Sequence, residues 1–246
     1  MGITSKNLQP VGGVSLVKRT FEFAKNAESI ERVVLSTDSY EILTECVPGQ
    51  ISRSEFLDLP QGSVTHISQR VYLHIRRSQD ADPKSKTITA VLDFLAAVQR
   101  ENDWSSELLL LQPTSPFRSN SELKEMINTY LDKHYVSMVS GKLSESPHPE
   151  KSFELYPDSR IRVTPEILEK LESPRQILKE LYVFDGAYYL SSVNHIEKNK
   201  SLISEKTQLF SRSGWCTLNI DNREDLELAN YLAEKFQSKR FFSAPH

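Results

Sequence analysis

The densest set of chemically useful side chains is the run Gln112-Pro113-Thr114-Ser115-Pro116-Phe117-Arg118. It follows four consecutive leucines at 108–111. Pro113 and Pro116 fix backbone φ, so an amide, two hydroxyls and a guanidinium are presented rigidly. That combination suits recognition of a polyol or a carboxylate. The alternative is a loop that only starts the next helix, with Ser119 or Asn120 as its N-cap. Three further polar groups end apolar runs in the same manner: Ser36-Thr37-Asp38-Ser39, Ser140 and Asp221.

The elements that must carry these groups alternate in period. Residues 14–27 place Leu16, Val17, Phe21 and Ala24 on one helical face. Residues 33–37 form a short strand rich in β-branched side chains. Residues 86–100 read as a second amphipathic helix, and 108–111 as a strand buried on both faces. A helix over 120–133, a strand over 136–139 and a closing helix over 222–236 complete the pattern. Strands alternating with helices predict an α/β fold with a doubly wound, mostly parallel sheet. Ligands bind such sheets at the carboxyl ends of the strands, where the polar groups above are found. Two stretches break the rhythm. Residues 46–63, with two prolines and two glycines, read as a surface loop. Residues 141–181 are rich in Pro, Glu, Lys and Ser and read as an arm leaving one domain that spans 1–246.

Composition narrows the classes. A net charge of −3 lacks the basic field of a nucleic-acid binder. Cys46 and Cys216 make no disulfide framework and read as inert thiols. No apolar run approaches the ~20 residues that span a bilayer, and no signal peptide opens the chain. The expectation is a cytoplasmic protein with neither membrane nor nucleic acid as partner.

The segment from Leu110 to Arg118 resembles the signature loop of the acylneuraminate cytidylyltransferases, the CMP-sialic acid synthetases. Other segments resemble the family in order. They are Ser5-Lys6-Asn7-Leu8 with Gly12-Gly13-Val14-Ser15-Leu16, residues 32–38, His148-Pro149-Glu150-Lys151, Arg175-Gln176, Gly186-Ala187-Tyr188-Tyr189, and Asn219-Ile220-Asp221 with Glu224-Asp225-Leu226. The resemblance implies a Rossmann-like nucleotidyltransferase fold with a dimerisation excursion at about 141–181, and a homodimer. It implies an enzyme that joins CTP to a nine-carbon acidic sugar, giving CMP-sugar and pyrophosphate. Lys6 and Asp221 would be catalytic. Lys6, Asn7, Arg76 and Thr87 would contact the nucleotide. Gln112, Thr114, Ser115, Lys151, Arg175 and Tyr189 would contact the sugar. Asp221 and Asn219 would hold Mg2+. Other readings stay open: Lys6 and Lys151 as solvated lysines, and Asp221 as the N-cap of the last helix.

Three departures from the family pattern accompany the resemblance. Its opening apolar strand and most of its phosphate loop have no counterpart before Lys6, so a truncated or degenerate homologue that binds without turnover is the alternative function. Asn219 stands where the family carries an Asp, and Asp185 where it carries an Asn. The extra carboxylate at 185 is expected to alter which sugar fits. The missing strand would lie between 33–37 and 108–112, predicting either a gap there or a direct pairing of the two.

Overall fold

The computed structural model describes residues 3–80, 85–98 and 104–237. The first half of the chain builds β1 (Pro10–Val11) and β2 (Val14–Ser15) as a small hairpin, then α1 (Leu16–Asn26), β3 (Val33–Thr37), α2 (Tyr40–Cys46), α3 (Arg53–Asp58), β4 (Val64–Ser68), β5 (Val71–Ile75) and α4 (Thr87–Val98). The second half builds β6 (Glu107–Leu110), α5 (Asn120–Asp132), β7 (Ser137–Leu143), β8 (Glu154–Leu155), β9 (Ile161–Arg162), α6 (Pro165–Glu172), β10 (Tyr182–Ser192), α7 (Val193–Asn199), β11 (Gln208–Ser211) and α8 (Arg223–Gln237). Residues 99 and 100 of the helix expected over 86–100 lie outside the described residues.

Local chemistry explains the helix starts. Ser15 caps α1 by accepting from the Lys18 amide. Ser119 caps α5 in a reciprocal box with Glu122, which decides between the two caps expected there. The stretch 46–63 is not only a loop. A second reciprocal box, Ser52 with Glu55, starts α3, and Phe56 pins that helix into the core. The Ser-x-x-Glu spacing of Ser52 and Glu55, three residues apart, was the signal for it.

The sheet is mixed. In one part β3 pairs in parallel with β5, and β4 pairs antiparallel with β5. In the other the order is β11-β7-β10-β6, with β11 parallel to β7 and β10 antiparallel to both neighbours. Thus β6, β7 and β11 run together, as do β3 and β5, and the reversed strands are β10 and β4. Side chains alternate between the two faces. Val33 and Leu35 pack with α1 and α2, while Val34 packs with α4. Leu109 and Leu111 pack with α5, while Leu108 and Leu110 pack with α4 and α7. Helices therefore cover both faces, as a doubly wound sheet requires.

β3 and β6 close the two parts, and among the described residues no strand lies between them and they do not pair. They nevertheless share surroundings. Leu111 packs into the cluster holding Val33 and Leu35, and Val34 shares the α4 cluster with Leu108 and Leu110. The Arg32 guanidinium, just before β3, lies 5.3 Å over the Trp104 ring, just before β6. The two strands therefore start at the same end. The gap, rather than the direct pairing, is the arrangement found.

The arm leaves at the end of β7 and returns as the start of β10, whose first residues ladder with Gly141, Lys142 and Leu143. It carries β8, β9 and α6. No helix among the described residues is long and apolar enough to cross a membrane. Cys46 is buried, and burial pushes its thiol up to about 12, as an inert core thiol requires.

Candidate functional site

The loop after β6 is clamped from beneath. Arg118 is buried and donates to the carbonyls of Ala187 (3.0 Å) and Gln112 (2.5 Å) and to the Thr20 hydroxyl on α1 (3.1 Å). Burial pushes its guanidinium down to about 10, still well above neutrality. Phe117 anchors the same loop in the cluster formed by Val11, Leu16, Ile220 and α8. The Ile220 amide donates to the Thr114 carbonyl at 2.8 Å, so segment 219–221 lies along the loop.

The third participant is an irregularity in β10 between Phe184 and Tyr189. Gly186 sits there at φ +73°. A Cβ at this position would lie 2.8 Å from Ser115 Oγ, 2.9 Å from Gln112 Oε1 and 3.3 Å from Asn219 Oδ1. The absence of a side chain lets three polar groups from two segments converge on the β10 backbone. Ser115 is itself fully buried, and its hydroxyl donates to the Asp185 carbonyl at 2.6 Å. Its part is therefore to brace the loop rather than to face a ligand. Gln112 and Thr114 are half-buried beside it. Tyr189 is half-buried, with its ring edge against Phe184 and burial raising its phenol.

Charge gathers next to this cradle. Lys6 lies 3.2 Å from Asp221 Oδ1, and Asp221 Oδ2 accepts from Asn219 Nδ2 at 2.8 Å. Asn219 Oδ1 lies 3.2 Å from Ser115 Oγ. The helix-cap alternative for Asp221 is decided by its neighbour. Asn222 Oδ1 accepts from the Asp225 amide at 2.8 Å, so Asn222 caps α8 and the Asp221 carboxylate is left facing solvent. Lys6 is half-buried and paired, not simply solvated, and Asn7 follows it in the same short turn.

The remaining candidates fall elsewhere. Arg76 follows β5, and its Nη2 donates to the Ser36 carbonyl at 2.9 Å. Its Nε is buried with no hydrogen-bond partner. Thr87 opens α4 and is exposed. Arg76 thus lies at the carboxyl ends of β3 and β5, its amide also donating to the Thr37 carbonyl at 3.1 Å. Lys151 is not brought to the cradle: its ammonium donates to the Leu171 and Ser173 carbonyls at the end of α6. Arg175 lies on the arm in an exposed pair with Glu145 at 3.4 Å. His148 bonds to backbone on both ring nitrogens, to the Lys179 carbonyl and the Glu150 amide.

Asp185 corrects an expectation. Its side chain is not an extra carboxylate facing a ligand. It is 1% exposed and accepts from Ser140 (2.5 Å), the Ala187 amide (3.1 Å) and Arg212 (2.6 Å). Arg212 was not legible as a site residue, because β11, which delivers it, is short and half-exposed and shows no clean alternation.

A metal can be tested against these groups. Among the described residues no three His, Cys, Asp or Glu side chains cluster as a closed metal cage. Asp221 and Asn219 offer one carboxylate and one amide oxygen, a sparse set of the kind Mg2+ supplements with waters and substrate phosphates, but Asn219 turns Nδ2, not Oδ1, toward Asp221.

Comparison with known proteins follows the same line. A family model described as Cytidylyltransferase matches residues 1–52. The chain is 28% identical over 238 residues to the CMP-N,N'-diacetyllegionaminic acid synthase of Legionella pneumophila subsp. pneumophila, covering 94% of this chain and 90% of that protein. It is 26% identical over 237 residues to the N-acylneuraminate cytidylyltransferase of Escherichia coli O18:K1:H7, covering 95% of this chain and 49% of that protein. It thus spans about half the length of the N-acylneuraminate cytidylyltransferases it matches. In fold it is similar to CMP:2-keto-3-deoxy-manno-octonic acid synthetase solved with CTP, at a TM-score of 0.57, 10% identity and coverage of 95% and 93% of the two chains. It is also similar to the 4-diphosphocytidyl-2C-methyl-D-erythritol synthase of Anaerococcus prevotii, at a TM-score of 0.54, 13% identity and coverage of 92% and 88%. Family model, aligned relatives and fold agree in direction: the chain is similar to cytidylyltransferases, and along most of its length to proteins named N-acylneuraminate cytidylyltransferase and CMP-N,N'-diacetyllegionaminic acid synthase.

Proposed function

We propose that this protein is a CTP-dependent nucleotidyltransferase that activates a nonulosonic, sialic-type acid, giving the CMP-sugar and pyrophosphate. The observation that carries the reading is the convergence of Gln112, Ser115 and Asn219 over Gly186, beside the Lys6–Asp221 pair. The anomeric hydroxyl of the acid attacks the α-phosphorus of CTP, and pyrophosphate leaves with the electron pair of the broken P–O bond. The chain's own tasks are charge neutralisation and alignment. Lys6 neutralises phosphate charge. Gln112 and Thr114 orient the sugar's hydroxyl and amide groups, with Ser115 and Arg118 fixing the loop that presents them. Arg76 is assigned to the nucleotide from its place at the carboxyl ends of β3 and β5, and Thr87, at the start of α4, from the family resemblance. Asp221 and Asn219 would hold Mg2+, which when bound supplies positive charge to the phosphate oxygens.

The test is pyrophosphate release from CTP with a panel of nonulosonic acids. Release with at least one acid is expected; none with any acid would sink the reading. Within an active enzyme, Gln112→Ala is expected to raise KM for the acid about tenfold, the order of one neutral hydrogen bond lost from a desolvated site, while KM for CTP holds. Unchanged kinetics for the acid would remove Gln112 from the sugar site.

The assembly proposed is a homodimer joined through the arms. Its support is the arm's surface, where Phe153, Leu155, Tyr156, Ile161, Leu168 and Ile177 are all exposed. So many exposed large apolar side chains on one arm support its being a contact surface. Lys151 and Arg175 sit on this arm, and their sugar-binding role belongs to the same proposal: they would act from across the dimer. Light scattering at micromolar concentration is expected to give twice the chain mass; a monomer would count against the arm as an interface. A soluble cytoplasmic setting is part of the same reading, supported by the requirement for CTP.

A further inference from the structure

Arg212 is the most heavily committed side chain near the site, and nothing above gives it a part in the reaction. It directly follows β11 and is 4% exposed. Its Nε donates to Glu122 Oε1 at 3.0 Å, and Nη1 donates to Asp185 Oδ2 at 2.6 Å. Its Nη2 serves the Phe117 carbonyl at 2.8 Å, Glu122 Oε2 at 3.2 Å and the Cys216 carbonyl at 3.2 Å. Burial opposes its charge, but the bond to Glu122 and the fields of Asp185 and Glu122 outweigh that and raise its pKa. One planar cation therefore fixes three things: the end of the 112–118 loop, the first turn of α5 and the β10 irregularity that presents Gly186.

The connection continues outward through hydrogen bonds. The Asp185 carbonyl accepts from Ser115 at 2.6 Å, and Ser115 Oγ lies 3.2 Å from Asn219 Oδ1. Asn219 donates to Asp221, which pairs with Lys6. The one proton of the Ser115 hydroxyl points mainly at the Asp185 carbonyl, and its longer contact to Asn219 Oδ1 is the minor branch of a bifurcated hydrogen bond, which ties Asn219 to the same brace.

We infer that Arg212 is a positioning residue: through Asp185 and Ser115 it sets where the Asn219–Asp221 pair and the Gln112 loop stand relative to each other. The inference rests on the proposed nucleotidyl transfer for its kinetic consequence but not for its geometry. Lysine would keep the charge, yet its single donor atom cannot reach Asp185, Glu122 and the Phe117 carbonyl from one plane.

The test is Arg212→Lys, with Glu122→Gln as a second variant that keeps the α5 cap and weakens only the outer contact. Two readouts are used. Peptide-level amide hydrogen exchange over 112–118 and 185–188 needs no turnover. The Mg2+ concentration for half-maximal rate, with KM for the acid, is measured per folded molecule. Arg212→Lys is expected to melt cooperatively, to exchange faster in both segments, and to raise both kinetic quantities about tenfold, the low end for loss of an outer-sphere support. Glu122→Gln should move them in the same direction by less. A lower melting temperature with exchange and kinetics both unchanged would make Arg212 a stabilising residue only and overturn the inference. If Arg212→Lys does not fold, Glu122→Gln decides by the same criteria. If the wild type releases no pyrophosphate, the proposed reaction fails, and the exchange experiment alone still decides the role of Arg212.

Discussion

Gly186→Ala is expected to reduce catalytic efficiency on the order of a hundredfold, comparable to losing one preorganised transition-state contact, and to cost roughly 2–5 kcal/mol of stability. Two separate penalties make up the second figure. A left-handed φ of +73° disfavours any L side chain by about 1–2 kcal/mol. The new methyl also meets Ser115 Oγ at 2.8 Å and Gln112 Oε1 at 2.9 Å, and overpacking of this kind costs about 1–3 kcal/mol. Ser115 cannot retreat, since it is fully buried and bonded to Asp185. Gln112 can move, but only by leaving the geometry assigned to sugar binding. Gly13→Ala separates the two effects. It shares the backbone conformation, at φ +79°, with nothing within 4 Å of the added carbon. Gly13→Ala should therefore lose stability alone, read by thermal melting, and keep its kinetics. Equal kinetic losses in the two variants would show that the cradle is not the cause.

Asp221→Asn is expected to lower kcat on the order of a hundredfold and to raise the Mg2+ requirement. The pair it forms with Asn219 contains one negative charge, so the substitution leaves two neutral amides. It also removes the partner of Lys6, which would then bind phosphate without competition. The two effects oppose each other for the nucleotide, so KM for CTP should change less than kcat. Because Asn222 caps α8, folding stability should hardly move. A Mg2+ titration and a melting curve on the same preparation check both statements. A large loss of stability with an unshifted Mg2+ requirement would return Asp221 to a purely local structural role.

Much of the positioning framework was legible in the chain because its signals are local. The four leucines before Gln112 could only be a buried strand, and Ser119 with Glu122 announced α5. The loop chemistry was legible for the same reason: two prolines restrict Thr114 and Ser115. What could not be read depended on partners distant in sequence. Ser115 looks like a ligand-facing hydroxyl until its partner at 185 is known. Asp185 looks like a ligand-facing carboxylate until Arg212 covers it. Lys151 has the type for anion binding, and within the chain two of its three donors serve the end of α6, a pairing its sequence neighbours do not announce. The strands β4, β10 and β11 were missed because they are partly exposed or broken by a bulge, so neither alternation nor a continuous apolar run marks them, and β5 was missed although it is buried, its apolar run being interrupted by His74.

The unpaired edges of β3 and β6 divide the molecule for unfolding as well as for geometry. Backbone hydrogen bonding transmits cooperativity along a continuous sheet, and here the ladder is interrupted. The half built on β3, β4 and β5 has its own core with α1, α2 and α3. The half built on β6, β7, β10 and β11 has its own, with α5 on one face and α4 and α7 on the other. What joins them is side-chain packing, such as Leu111 and Ile30, and polar staples such as Thr20 on α1 to Arg118. The two halves are therefore expected to open along this seam before either loses its own core, with α1 and α4 as the helices that bridge it.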